Sequence, residues 1–496
     1  MNMHDEQLLK AQRAVEEQRG WVQQIAKKRQ WYHFMPECGW MNDPNGVIFY
    51  KGKYHLFYQF YPYGPYWSAM HWGHAISDDL LHWTYLPVAL APSEPYDDCQ
   101  KGGVFSGSAV EGKDERLYLF YTGTVVKEDK VIKTQCMAVS EDSINFKKYE
   151  GNPVIDATEY TESDPKVWKK DNKWYMVVGG EKDCKGRAIL YISDDLMEWT
   201  YFGTILESDG SLGAMWECPD IFSLDGLDVL VFGPMHLGEK KCTYLAGHLD
   251  YDKKQFVPQY SAEVDYGFDY YAPQSFKDPK GRRIQYAWAN AWDWMPWWKG
   301  FGTTSKEGWC GAMNIPREVC RKGDQLRFVP VDELRELREN YHDYGSLVVH
   351  CDIKNKIIAG DGVHCEVLSK VSLKKTTAEK LLFCVRCADH VQGSNDRHTD
   401  IIFDFINKQL IVDRNNSDDW SAGIKKCNLN LDAREELRIH IFMDTVSVEI
   451  FTDDYTTAFS ANIYPEDQCS EMYVSATGGD VYFTSMETWG MKRVLS

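Results

Sequence analysis

The chain has 496 residues, of which 44% are hydrophobic and 26% charged, enough for a large core and, by length alone, two to four domains. Its formal net charge of −19 argues against nucleic acid or an anionic membrane as a partner, since both require a basic surface. The acidity does not point to an acidic substrate; it suits a soluble cytoplasmic protein.

The first twenty residues carry Asp5, Glu6, Glu16 and Glu17 and no apolar stretch, so they do not read as a signal peptide, and no run is long enough to span a membrane. Residues 5–28 read as one amphipathic helix, because Leu8, Ala11, Val15, Val22 and Ile25 recur at helical spacing. The helical signal then almost vanishes until 331–339.

Between them a hairpin pattern repeats five times. A polar motif leads into a short strand, a tight turn and a strongly apolar strand rich in aromatic and β-branched residues. The apolar strands centre on Leu56, Leu119, Met176, Leu230 and Tyr286. A second signature supports the count: Ser77-Asp78-Asp79-Leu80 recurs as Ser193-Asp194-Asp195-Leu196, with a weaker copy at Ser140-Glu141-Asp142-Ser143. Copies at this spacing fit the blades of a propeller better than a long β-sandwich with chance repeats. From about residue 345 the style changes to strands with one wet face, such as Leu437, Ile439 and Ile441 alternating with Arg438 and His440. The expected all-β architecture is therefore a short helical extension over 1–29, a five-bladed β-propeller over 30–330, a linker over 331–344 and a β-sandwich over 345–496.

The 14 cysteines are scattered and read as reduced thiols. Cys384 and Cys387 form one C-x-x-C in a strand-like run, where residues three apart point to opposite faces, so the pair reads as structural. No metal or other cofactor is implied by the spacing of His, Cys, Asp and Glu. His55, His71 and His74 read as satisfied blade residues. Two ring-rich loops, residues 61–67 and 292–298, read as binding surface rather than core.

Each repeat opens on a polar motif: Asn42-Asp43-Pro44, Phe105-Ser106-Gly107, Ser163-Asp164-Pro165, Glu217-Cys218-Pro219 and Tyr271-Ala272-Pro273. The first strand of each blade lines a propeller's channel, so Asp43, Asp164 and Glu217 are expected to converge from equivalent points. Any one could be an ordinary Asp-Pro turn. Three carboxylates together beside rings are costly to bury, and they suit paired-carboxylate glycoside cleavage.

Trp40-Met41-Asn42-Asp43-Pro44-Asn45-Gly46, Phe105-Ser106-Gly107-Ser108 and Trp216-Glu217-Cys218-Pro219-Asp220 resemble motifs of glycoside hydrolase family 32, the β-fructofuranosidases. The resemblance runs from about residue 30 through nearly the whole chain, and the stretch 54–91 is most similar to the sucrose and sucrose-6-phosphate hydrolases. It implies a retaining mechanism with Asp43 as nucleophile, Glu217 as acid/base and Asp164 as stabiliser of the transition state. It also implies a fructose pocket shaped by Trp40, Asn42, Gln59, Trp67, Phe105, Ser106, Ser163 and Trp292, with a small-molecule fructoside as the partner. Fructosyl transfer shares the same intermediate, and a binding protein without turnover is a third reading. The family has arginine where this chain has Ser163; Lys166 and Arg187 are the candidates to supply that charge. Cys218 is expected to pack, with a modest polar effect on Glu217. For the sandwich, packing against the propeller, homodimer formation and remote sugar contacts all remain open.

Overall fold

A computed structural model describes residues 2–98, 102–237, 242–292, 294–295, 302–388, 396–432 and 434–494. Five antiparallel sheets follow one another along the chain and form the blades of a propeller, and two further sheets of six and seven strands form the C-terminal β-sandwich. The innermost strands are Gly39–Tyr50, Gly103–Glu111, Ser163–Lys170, Met215–Leu224 and Tyr271–Lys277, in blades I to V. Blade I gains a fifth strand late in the chain: Trp309–Cys310 pairs in parallel with Gly39 and Trp40 and closes the ring.

The repeated Ser-Asp-Asp signature has one local purpose. In blades I, II and III, Asp79, Asp142 and Asp195 each accept two backbone N–H groups, from the residues two and three further on. Ser77, Ser140 and Ser193 donate to the same carboxylates. The intervening Leu80, Ser143 and Leu196 take positive φ, which closes the loop between the third and fourth strands.

Every innermost strand carries a β-bulge at its polar motif. The ladder skips from Met41 to Pro44, Val104 to Gly107, Ser163 to Lys166, Glu217 to Asp220 and Tyr271 to Gln274. Two inner-strand residues thus face one partner residue, which bends the strand and re-aims its side chains. In blades III to V the residue before proline, Asp164, Cys218 or Ala272, is left-handed, with φ of 60°, 48° and 49°. These are uncommon angles for residues with a Cβ. The acids therefore share one bulge without occupying equivalent points in it, which corrects the expectation of simple equivalence. Glu217 precedes the bulge, Asp164 is its first residue and Asp43 its second.

Neighbouring blades are stapled at this level. Gln59 Nε2 donates to the Val104 carbonyl at 3.0 Å, and the Asp164 N–H donates to Thr122 Oγ1 at 2.8 Å. Deeper in the channel, Gln274 Nε2 reaches Gly107 O and the Ser275 N–H reaches Asp220 Oδ2.

The N-terminal helix spans Met3–Ile25, capped by Asn2, and buries Ala11, Val15 and Val22. The stretch 331–344, expected as a linker, is instead a 3-10 turn, Asp332–Leu337, followed by Arg338–Asp343, a strand that pairs with Val481–Met491 in the sandwich. Its alternation is weak because it is an edge strand with an almost wholly exposed face. The expectation that Cys384 and Cys387 point to opposite faces also fails: a bulge separates them, Arg386 between them has φ of 50°, and their Sγ atoms lie 3.0 Å apart on one side. Of the three histidines, His55 Nδ1 meets His74 Nε2 at 3.0 Å and His71 Nδ1 meets the Ala69 carbonyl. His74 Nδ1 is buried without a partner among the described residues.

Propeller and sandwich meet through buried ion pairs. Arg317, fully buried, joins Asp265 at 2.9 Å to Glu449 at 2.7 Å. His33 bridges Asp444 at 2.7 Å and Glu449 at 3.0 Å, and Arg414 meets Asp269 at 2.9 Å.

Candidate active site

The bulges of blades I, III and IV bring Asp43, Asp164 and Glu217 to one pocket of about 180 Å³ at the mouth of the channel. Asn42, Gln59, Trp67, Phe105, Ser106 and Trp292 line it with them. Trp40 and Ser163 do not line it. Trp40 is buried behind Asn42 and donates from Nε1 to Asn42 Oδ1 at 2.8 Å, and Ser163 Oγ donates to Asp164 Oδ2 at 3.3 Å. Both therefore contact pocket residues from behind the pocket wall.

Asp43 sits in a cradle of donors. Ser106 Oγ donates to Oδ2 at 2.6 Å, Asn42 Nδ2 to Oδ1 at 3.0 Å, and Cys218 Sγ lies 3.6 Å from Oδ2. Burial raises its pKa to about 6, with the charge of Asp164 adding to the rise and the three donors opposing it. Glu217 Oε2 accepts from the Tyr271 hydroxyl at 2.6 Å. Burial first, then the charge of Asp164, holds Glu217 up at about 7; Lys133 and Tyr271 pull the other way. Asp164 is fixed by the Cys218 N–H, which donates to Oδ2 at 2.9 Å. Cys218 thus does more than pack: its backbone holds one acid and its thiol approaches another.

The rings of the second aromatic loop are split. Trp292 stacks parallel to Trp40, with centroids 6.2 Å apart, and tilts against Trp288 at 4.4 Å. Trp294 turns away to donate to Asp269 Oδ1 at 2.8 Å, beside Arg414, so it belongs to the junction with the sandwich. Asp293, Pro296, Trp297 and Trp298 lie outside the described residues. In the first loop, Trp67 packs edge-on against Phe105.

Neither candidate for the missing arginine charge reaches the pocket. Lys166 Nζ donates to Ser275 O and pairs with Asp220 at 3.2 Å, deeper in the channel. Arg187 pairs with Glu207 and donates to the Lys182 carbonyl. The cation lining the pocket is Lys133, from the third strand of blade II. Lys133, Met70, Met235 and Tyr271 were not anticipated as site residues. Tyr271 had a signal, since it opens the blade V motif just as Glu217 opens that of blade IV. Lys133 lies in a polar hairpin that reads as ordinary surface.

Two carboxyl groups with raised proton affinity stand beside a third acid in a pocket walled by rings, an arrangement suited to paired-carboxylate sugar cleavage. Residues 33–330 match the N-terminal domain of the glycosyl hydrolases family 32, and residues 333–490 match its C-terminal domain. The chain belongs to glycoside hydrolase family 32. A sucrose-6-phosphate hydrolase of Zymomonas mobilis is 35% identical over 495 residues, covering 93% of each chain. The sucrose-6-phosphate hydrolase of Bacillus subtilis is 34% identical over 504 residues, covering 96% of this chain and 98% of that one. A solved Bombyx mori GH32 β-fructofuranosidase superposes with a TM-score of 0.79 at 30% identity, covering 98% and 99%.

Proposed function

We propose that this enzyme is a retaining β-fructofuranosidase that hydrolyses terminal, non-reducing β-D-fructofuranosyl units from sucrose, sucrose 6-phosphate or short fructo-oligosaccharides. The observation that carries the mechanism is the contrast between two acids of the pocket. Asp43 meets three side-chain donors that favour its anion, while Glu217 meets one and is held near pH 7.

Asp43 attacks the anomeric carbon as the glycosidic bond breaks, and Glu217 gives its proton to the leaving oxygen. The fructosyl ester on Asp43 is then cleaved by a water that Glu217, now ionised, deprotonates, returning enzyme and free fructose. Asp164 stabilises the oxocarbenium-like transition state and accepts hydrogen bonds from fructose hydroxyls. Asn42 and Ser106 keep the nucleophile oriented, Gln59 contributes to the sugar wall, and Trp67, Phe105 and Trp292 offer apolar faces to the ring. The relatives named sucrose-6-phosphate hydrolase, and a Bombyx mori relative solved with sucrose, support this substrate class.

The catalytic unit is assigned to 30–330 and the sandwich to 345–496, with the strand at 338–343 counted with the sandwich. A cytoplasmic setting is supported by the described cysteines, all free thiols, as a reducing compartment leaves them. A panel of sucrose, sucrose 6-phosphate, kestose and inulin tests the proposal. Release of fructose that is lost in Asp43→Ala supports it, and full activity of a folded Asp43→Ala contradicts it. Transglycosylation products at high sucrose would reassign the enzyme as a transferase.

A further inference from the structure

The pocket wall holds one ammonium group, that of Lys133. Lys133 lies early in the strand Lys130–Ser140, opposite Thr124. Gln135, two residues on and so on the same face of the strand, accepts from Thr122 Oγ1 at 2.9 Å and donates to the Glu162 carbonyl at 3.0 Å. Thr122 Oγ1 in turn accepts the Asp164 N–H. The face that carries Lys133 is therefore the one turned to blade III and its acid. The side chain is half-buried, and no hydrogen bond or ion pair joins it to another described residue.

The buried cations Arg317 and Arg414 are each matched to a carboxylate, whereas Lys133 is not. Around Glu217 stand Asp43 from blade I, Lys133 from blade II, Asp164 from blade III, Cys218 beside it and Tyr271 from blade V. Lys133 is the positive charge among them. Its field opposes the proton affinity that burial and Asp164 give Glu217. Lys133 thus lines the same pocket as the acid that protonates the leaving group. A lysine head offers three rotatable donors on a flexible stem, suited to sugar hydroxyls of varied position.

We propose that Lys133 is a specificity-determining and positioning residue: its ammonium group donates hydrogen bonds to hydroxyl groups of the leaving sugar and sets the pH at which the neighbouring Glu217 gives up its proton. The proposal rests on the assignment of Asp43 and Glu217 as the reacting pair. It gives the pocket, from the neighbouring blade, the cation that Ser163 cannot supply.

The test compares Lys133→Met and Lys133→Arg on sucrose and on p-nitrophenyl β-D-fructofuranoside, whose leaving group has no sugar hydroxyls. A hydrogen bond from a charged donor is worth about 1.5–3 kcal/mol, so Lys133→Met is expected to lose roughly 10- to 100-fold in kcat/KM on sucrose. On the aryl fructoside the loss is expected to be only a few-fold. The alkaline limb of the Lys133→Met pH profile should move upward, because loss of the cation lets Glu217 keep its proton longer, and Lys133→Arg should restore most of both properties. Equal losses on the two substrates, or an alkaline limb that does not move, would overturn the proposal. Asp43→Ala in the same assay separates the levels: if it stays active the assignment of the reacting pair has failed, and if it is dead while Lys133→Met behaves as wild type, only the role of Lys133 has failed.

Discussion

Two clusters of buried carboxyl groups in this molecule behave in opposite ways. At the seam between propeller and sandwich, Glu449 lies between Arg317 and His33, Asp444 meets His33, and Glu366 in the sandwich meets Arg338 and His440. Burial opposes their charge, but the cations prevail, and Glu449 is held down at about 2. At the mouth of the channel Asp43 is buried and Glu217 half-buried, neither has a matched cation, and both are pushed up, to about 6 and about 7. The residue types are the same. What differs is whether a cation pairs with the carboxylate, and that decides whether an acid joins domains or stays available for proton transfer.

Breaking the pocket should have the largest effect on activity. Asp43→Asn or Glu217→Gln is expected to lower kcat on sucrose by at least about 10³-fold, with thermal stability unchanged or raised, because an unpaired buried acid is removed. Breaking the seam should do the reverse. His33→Ala leaves Asp444 and Glu449 short of a cation and is expected to destabilise the protein by about 3–5 kcal/mol in denaturant titration, with turnover per folded molecule retained.

The pH dependence separates the two clusters. Activity is expected to peak between about pH 6 and pH 7, falling below as Asp43 takes a proton and above as Glu217 loses its own. His33 is opposed by burial but held up to about 9 by Asp444 and Glu449, above its ordinary 6.5. Its contribution to stability is therefore complete below pH 6.5 and lost as pH rises through about 9. Melting curves at pH 6 and pH 9 should show this loss, at a pH where turnover has already gone. The smallest effect is a sharpening within the pocket. Ser106→Ala removes the 2.6 Å donor to Asp43 and should raise the acidic limb, with a loss of roughly tenfold at pH 6.

Much of this was legible in the sequence because it depends on local chemistry. Aromatic and β-branched strands closed by Gly or Asn turns announce hairpins, and the Ser-Asp-Asp copies are loops that hold themselves with their own backbone N–H groups. The three acids could be named because each stands in a motif that opens a blade. Their arrangement could not, since a bulge depends on pairing register with a partner strand, which alternation alone does not encode. The same limit hid the approach of Cys384 to Cys387 and placed Trp40 and Ser163 at the pocket wall rather than behind it. Lys133 left no mark because its role comes from blade II packing on blade III, a contact between residues with no local pattern in common. The edge strand at 338–343 reads as a linker because its exposed residues carry almost no apolar face.

The central claim, that Asp43 is the nucleophile and Glu217 the acid/base, is tested most directly by trapping the intermediate. Glu217→Ala mixed with β-fructofuranosyl fluoride, whose leaving group needs no proton, should form the ester quickly and hydrolyse it slowly. Acid quench, digestion and mass analysis are predicted to find one fructosyl unit on the peptide that contains Asp43. Turnover of the fluoride with no adduct and with inverted configuration of the released fructose, or an adduct on another residue, would contradict the account.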